Sequence, residues 1–267
     1  MVLEKVAEIL SETAAEVIEP RFRSLAAGEV MEKAPGEVVT VADREAELII
    51  AERLRGVLAV PVVGEEAVSA DPSLVKALCT EPAVWLVDPL DGTGNFVAGK
   101  SDYAVMVALV RKGEAVAGWI WQPVPGIAYA AERGSGAWRN GERLRRAPAE
   151  GGPCFWRGAV LSRFMEPETR SIVDRGARVF GRVTRGSRAA GVEYPRIATG
   201  DQEFTLFWHT LPWDHAPGSL LVTEAGGAAA RLDGEPYRPG RHVDGLLVAA
   251  DEDCWQQARE RLGLLHG

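Results

Sequence analysis

This sequence has little that binds soft metals or forms cross-links. Its three cysteines, Cys79, Cys154 and Cys254, are far apart and form no C-x-x-C pair. That excludes a disulfide framework and fits free thiols in a reducing compartment. The four histidines, His209, His215, His242 and His266, form no H-x3-H pair and none lies near paired cysteines, which argues against zinc. Basic charge is in deficit: 30 Lys and Arg face 38 Asp and Glu, a net charge of −8, so no direct nucleic-acid binding is expected. No apolar run approaches membrane-spanning length, and Met1–Val6 lacks a basic region followed by an apolar stretch. A cytoplasmic protein with no membrane partner is the expectation. There is no internal repeat and no low-complexity segment. The 267 residues are 46% hydrophobic, enough for a full core in one large domain or two halves.

What the chain does have is an apolar run that stops on carboxylates. Trp85-Leu86-Val87-Asp88-Pro89-Leu90-Asp91-Gly92-Thr93-Gly94-Asn95-Phe96 reads as a buried strand, then a turn, then a helix start. Two acids three residues apart at the end of a buried strand are costly unless a positive charge sits between them. A divalent cation is the first candidate. The backbone N–H groups after Asp91 would face the same spot and could hold an anion. Metal and anion together point to phosphate.

The rest of the chain reads around that stretch. Residues 2–27 show helical spacing from Leu3 to Phe22, and Lys33-Ala34-Pro35-Gly36 reads as a turn. Val38–Val41 is a short strand, followed by a helix for which Asp43 is the expected N-cap. Val60–Gly64 is a strand ending in Glu65-Glu66, and Asp71-Pro72-Ser73 opens a weak loop or helical segment. Strands at Tyr103–Val110, Ala115–Gln122 and Ile127–Glu132, separated by turn residues, form an antiparallel meander. Glu150-Gly151-Gly152-Pro153 is the candidate boundary, giving an α+β N-terminal half (1–150) and a mixed α/β C-terminal half (151–267). In the second half, strands are expected at Gly158–Ser162, Val179–Val183, Phe204–Phe207, Ala228–Leu232 and Gly245–Ala249. The helices there are Glu168–Gly176, Arg188–Thr199, Asp214–Ala225 and Glu252–Leu262, with Asp214 heading the third.

The chemical candidates are Asp88 and Asp91, Glu65 after another strand, Asp43 at a helix start, and Asp214 in Trp213-Asp214-His215-Ala216-Pro217-Gly218. Asp43 and Asp214 would be ordinary as N-caps and Glu65 as a solvated acid; Asp88, closing a Val-Trp-Leu-Val strand, needs a partner. Together the acids make an oxygen-rich site without imidazole or thiolate, which selects Mg²⁺ or Mn²⁺. Two such ions ~3.5–4 Å apart would bridge a phosphate ester, and Thr93 could orient a metal-bound water.

At these residues the chain resembles the inositol monophosphatase family of Mg²⁺-dependent, lithium-sensitive sugar phosphatases. Asp88–Phe96 is similar to its D-P-I/L-D-G-T-x-N-F signature and Trp213–Gly218 to its W-D-x-A-x-G. Gly64-Glu65-Glu66, Thr40–Asp43, Gly134–Gly141 and Thr223–Gly227 resemble, in order, its G-E-E, T-x-x-D, G-x-G-A-x-x-N-G and T-E-A-G-G elements. The resemblance implies a layered αβαβα sandwich, usually dimeric. It also implies that Glu65, Asp88 and the Leu90 carbonyl hold one Mg²⁺, that Asp88, Asp91 and Asp214 hold a second, and that Glu65 shares a third. Thr93, bonded to Asp43, would orient the attacking water, and amides of Gly92 and Thr93 would bind phosphate. Lys33 lies one residue from the place of a family lysine beside the active site.

Two departures bear on substrate. Inositol-type members carry an acid seven positions before the second-signature aspartate, where it holds substrate hydroxyls; here Phe207 stands there. The family's G-S/T-A-A-L-D becomes Arg188-Ala189-Ala190-Gly191-Val192-Glu193, so Arg188, Glu193 and Phe207 join Asp214 as candidate substrate contacts. The expected substrate is a small-molecule phosphate ester, inositol 1-phosphate or, within the same family, histidinol phosphate, a nucleotide 3′-phosphate or another sugar phosphate. A haloacid-dehalogenase mechanism would need two aspartates one residue apart, and Asp88 and Asp91 are not. A regulatory interaction protein on the same fold is the expectation from a different class.

Overall fold

The alternating apolar residues between positions 83 and 144 build a seven-stranded sheet that organises everything before it. The computed structural model describes residues 2–34, 36–241 and 243–264; Met1, Pro35, His242 and His266, which entered the sequence reading, lie outside them. Helix α1 (Val2–Thr13) continues through a π turn (Ala14–Ile18) and a 3-10 turn (Glu19–Arg21), and Phe22 is extended. The helix expected to residue 27 stops early because Pro20 has no N–H to give the preceding turn. Strands β1 (Val30–Ala34) and β2 (Glu37–Thr40) form an antiparallel hairpin. Lys33, expected in a turn, is therefore a strand residue; β1 is partly buried at every position but Glu32, without alternation, so it carries no period-two signal.

Helix α2 (Val41–Val57) follows. Its N-cap is Thr40, not Asp43: Asp43 occupies the third helical position and its carboxylate accepts back from the Thr40 backbone N–H, a capping box. Next come β3 (Val62–Gly64), shorter than expected, then α3 (Glu65–Ala70), a 3-10 turn (Pro72–Lys76), α4 (Ala77–Thr80), β4 (Ala83–Asp91) and α5 (Thr93–Val97). The meander is β5 (Ala104–Arg111), β6 (Glu114–Gln122), β7 (Ile127–Glu132), β8 (Gly136–Arg139) and β9 (Glu142–Leu144). Beyond it lie β10 (Arg157–Leu161), α6 (Pro167–Gly176), β11 (Arg182–Thr184), α7 (Ala190–Thr199) and β12 (Phe204–Phe207). The chain closes with α8 (Pro212–Ala225), β13 (Ala228–Arg231), β14 (Leu246–Ala249) and α9 (Glu252–Arg261). Two helix starts differ from expectation. Arg188 precedes α7, and α8 begins at Pro212, whose fixed φ suits a first turn, leaving Asp214 inside that turn. The strand expected at Val179 begins only at Arg182, after a 3-10 turn.

The large sheet has the order β3-β4-β5-β6-β7-β8-β9 and the second β11-β10-β12-β14-β13. One face of the large sheet, with Trp85, Val87, Val105, Val107 and Trp119, packs on α1 and α2 through Val6, Leu10, Ile50 and Leu54. The other face, with Val84, Leu86, Met106 and Ile120, packs on α7 and α8 through Tyr194, Ile197, Leu220 and Leu221, and the second sheet adds Phe207 and Val248 to the same core. The far face of the second sheet buries Val160, Phe204 and Leu247 against Val173 of α6 and Trp255 of α9. The layers run helix, sheet, helix, sheet, helix, the sandwich that the resemblance implies. Among the described residues no helix is long and apolar enough to cross a membrane.

Candidate active site

Strand register creates the acidic cluster. In a regular strand, residues three apart point to opposite faces. Asp88 and Asp91 do not, because β4 carries an extra residue: Asp88 pairs with Met106 and Asp91 with Ala104, two apart on β5. The bulge falls at Pro89-Leu90, where proline's missing N–H costs no ladder bond, and Asp88 Oδ1 accepts from Leu90 N across it at 3.0 Å. Both carboxylates therefore face the central helical layer. Strand β3 runs parallel to β4, with Gly64 opposite Val87, so Glu65 emerges beside Asp88. Helix α8 supplies Asp214 from its first turn.

Gly92 then turns the chain with φ +84, and a Cβ there would lie 2.8 Å from the Asp102 carbonyl. Thr93 Oγ1 lies 2.9 Å from Asp43 Oδ1 and 2.9 Å from the Leu90 carbonyl. Its single proton serves one of these acceptors at a time, and its lone pairs remain for a water. Asp43 is fixed on its other oxygen by Thr40, through the backbone N–H at 2.8 Å and the hydroxyl at 2.5 Å.

Lys33 is 14% exposed and donates to Glu65 Oε1 at 3.0 Å and to Glu66. Burial opposes its charge, yet Glu65 and Glu66 hold its pKa above the usual lysine value. Burial pushes Glu66 up to about 7 against the pull of Lys33. Glu47, which the sequence reading missed, accepts from the amides of Glu66 at 2.7 Å and Ala67 at 2.8 Å and so anchors the turn that carries Glu65. Its signal was available: Glu47 lies four residues after Asp43, on the same face of α2.

Asp88, Asp91 and Asp214 all have raised pKa values. For Asp88 the causes are burial, then Glu65, Asp214 and Asp91; for Asp214 they are burial, then Asp91 and Glu65. Asp91 is pushed up to about 7 by burial, opposed by the amides of Gly191, 2.6 Å away, and Ala190 at the start of α7. Asp88, Asp91 and Asp214, each pushed up in part by the charge of Glu65, form an oxygen-donor set short of positive charge, and a hard divalent cation fits that set. Among the described residues no three His, Cys, Asp or Glu side chains converge on one point as they stand. Glu65 is turned to Lys33 and Asp91 to the α7 amides.

Lys33, Glu65, Asp88, Asp91, Thr93 and Asp214 line a cavity of about 560 Å³. Its lining also includes Arg188 and Phe207, both expected, together with Leu161, Arg163, Phe164, Trp208, His209 and His215, which were not. His215 is buried and held neutral by that burial, with Nδ1 2.8 Å from the Tyr194 hydroxyl and Nε2 3.0 Å from the His209 carbonyl. Glu193, expected to touch substrate, is absent from the lining. It is fully buried and accepts from Ser187 N, Arg196 Nη1 and Gln202 Nε2 at 2.6, 2.9 and 2.8 Å, so it holds the 186–189 loop.

Comparison with known proteins shows the family to which the chain belongs. A model described as the inositol monophosphatase family matches residues 2–263. An inositol-1-monophosphatase of Mesorhizobium japonicum is 37% identical over 236 residues, 82% of this chain and 80% of that protein. A Thermotoga maritima protein named fructose-1,6-bisphosphatase/inositol-1-monophosphatase is 31% identical over 208 residues, 74% of this chain and 73% of its own. Among solved structures, the extragenic suppressor protein suhB from Bartonella henselae superposes with a TM-score of 0.83 at 26% identity, covering 98% of each chain. In sequence as in layer order, the chain belongs to the inositol monophosphatase family.

Proposed function

We propose that this phosphoric monoester hydrolase cleaves a small-molecule phosphate ester with Mg²⁺, or Mn²⁺ in its place, bound as two or three ions. Glu65, Asp88 and the Leu90 carbonyl would hold one ion and Asp88, Asp91 and Asp214 a second, with Glu65 shared by a third. When bound, the cations supply charge neutralisation for the phosphate and a more acidic water. The chain's own groups do the rest. Asp43 holds Thr93, and Thr93 Oγ1 accepts from the attacking water and fixes its line of approach. Water oxygen bonds to phosphorus as the bond to the alcohol oxygen breaks; the water gives up a proton, the departing oxygen takes one up, and the alcohol leaves on the opposite side. The amides of Gly92 and Thr93, residues of the cavity lining, would donate to phosphate oxygens. Lys33 pairs with both Glu65 and Glu66 and offsets part of their charge.

The observation that carries this reading is the β4 bulge, which turns Asp88 and Asp91 to one face beside Glu65. Asp91→Asn tests it. The expected result is a fall in kcat/KM of roughly 10³-fold, about 4 kcal/mol, with one fewer Mn²⁺ bound per chain in a titration and an unchanged circular dichroism spectrum. Near-normal turnover in that variant would sink the mechanism. Lithium inhibition and a sedimenting dimer are expected from family membership.

A further inference from the structure

Helix α7 starts against the acidic cluster and carries a proline past its first turn. Pro195 is the sixth residue of Ala190–Thr199. It has no N–H, so it cannot close the helical turn on the carbonyl four residues earlier, that of Gly191. Gly191 is buried, and a buried carbonyl needs a donor. A side chain supplies one: Gln122 Nε2, from the last residue of β6, donates to Gly191 O at 2.8 Å. The N–H of the same glycine donates to Asp91 Oδ2 at 2.6 Å. The two polar atoms of Gly191 thus join Gln122 to Asp91, the carboxylate read above as a ligand of the second ion.

Packing requires a glycine at this junction. Gly191 stands where the resembling pattern has alanine. A Cβ on it would lie 2.5 Å from Ala104 Cβ and 3.1 Å from Met106 Sδ, so the α7 backbone rests directly on β5. Ala104 is in turn the register partner of Asp91. Three neighbouring strands therefore fix one helical residue: β4 through Asp91, β5 by contact and β6 through Gln122. Glycine has the most backbone freedom of any residue, and the turn that would restrain its carbonyl is the one Pro195 leaves open. Gln122 is absent from the lining of the active-site cavity. With Pro195 it lines a separate cavity of about 360 Å³, so it reaches the acids through Gly191.

We propose that Gln122 is a positioning residue: its amide replaces the hydrogen bond that Pro195 removes from α7, aims the Gly191 N–H at Asp91, and so sets that carboxylate for a cation. This rests on the reading of Asp91 as a metal ligand given above.

The test compares wild type, Gln122→Ala, Pro195→Ala and the double variant in two measurements. One is hydrogen exchange of the Gly191 amide in the metal-free protein by NMR; the other is Mn²⁺ binding by electron paramagnetic resonance. Gln122→Ala is expected to speed Gly191 exchange about fivefold, the size of one neutral hydrogen bond. It should weaken the Mn²⁺ site that Asp91→Asn removes by about the same factor and leave other Mn²⁺ affinity within about twofold. Pro195→Ala returns an N–H to face Gly191 O, so the double variant should recover both values to within about twofold of wild type. General loosening of the fold would not be cured by changing a proline on another element. Gln122→Met keeps the side-chain volume without the donor and should match Gln122→Ala; it also serves if the truncated variant fails to fold. Unchanged exchange and Mn²⁺ affinity in the Gln122 variants would overturn the proposal, as would losses that Pro195→Ala does not restore. If Gly191 exchange followed the expected pattern while wild type bound no Mn²⁺, the metal reading of Asp91 would fall and its positioning by Gln122 would stand.

Discussion

The cavity's two walls are built by different means. The acidic wall is made of regular structure: two parallel strands, one bulge and the first turns of three helices. Four carboxylates in and behind it are tied to main chain, Asp43 to Thr40, Glu47 to Glu66 and Ala67, Asp88 to Leu90, Asp91 to Gly191. The opposite wall rests on loops after β10, β11 and β12, and its exposed members Arg163, Phe164 and Arg188 make few contacts. Reacting groups need positions held to fractions of an ångström, which strand register supplies. Selection among alcohols needs contacts that can vary without disturbing the chemistry, which loops supply.

The difference predicts how each wall fails, and cation removal should have the largest effect. Chelation is expected to abolish phosphate release, and added Mg²⁺ to restore it. Mg²⁺ should also raise Tm in a concentration-dependent way, since ligand bound only to the folded state stabilises it and relieves repulsion among Asp88, Asp91 and Asp214. A Tm indifferent to Mg²⁺ would mean that the acidic wall holds no cation. Next comes Thr93→Ala, expected to lower kcat by roughly 10²-fold with little change in KM if, as proposed, the hydroxyl orients water and does not hold the alcohol. A KM-only effect would move Thr93 to the other side of the comparison.

Gly64→Ala probes the support of the acidic wall. A Cβ on Gly64 would lie 2.3 Å from the Glu47 carboxylate, which is fixed by two amides and has no easy retreat. The expected loss is about 1–3 kcal/mol of stability, read by urea unfolding, accompanied by weaker Mg²⁺ binding because the turn carrying Glu65 shifts. Glu47→Gln keeps the volume and should cost less on both counts. Equal losses in the two variants would show that charge on Glu47, not its fit beneath Gly64, holds the turn.

Sequence reading reached these two walls unequally, for physical reasons. Asp88, Asp91, Glu65 and Asp214 were legible because buried strands and a proline-bearing helix start leave strong apolar and turn signals around each acid. Their convergence was not, since it depends on parallel β3–β4 pairing and a one-residue bulge that no local pattern encodes. Lys33 was found but put in a turn, because half-buried β1 shows no alternation. Asp43 was read as a cap when Thr40 is the cap and Asp43 reaches back to it. On the other wall, Arg188 and Phe207 stood out only as departures from the resembling pattern, and Glu193 was assigned to substrate although it is buried beneath the loop. Arg163, Phe164, Trp208 and His209 went unseen: they sit on connections whose place is set by tertiary packing.

The smallest effect sharpens the comparison most. Phe164 is 49% exposed, so truncating it removes little buried surface. Phe164→Ala should change stability by less than about 0.5 kcal/mol and leave Mg²⁺ binding alone. Its contact with His209 and its place under Arg163 would still be lost from the cavity rim. KM for substrates with an aromatic alcohol should then rise severalfold, while that for fructose 1,6-bisphosphate stays within about twofold, the spread expected where no stacking of roughly 0.5–1.5 kcal/mol is forfeited. If KM rose equally for both, Phe164 would be shaping the whole cavity, and the two walls would be one mechanical unit, not a fixed reaction centre faced by an adjustable selector.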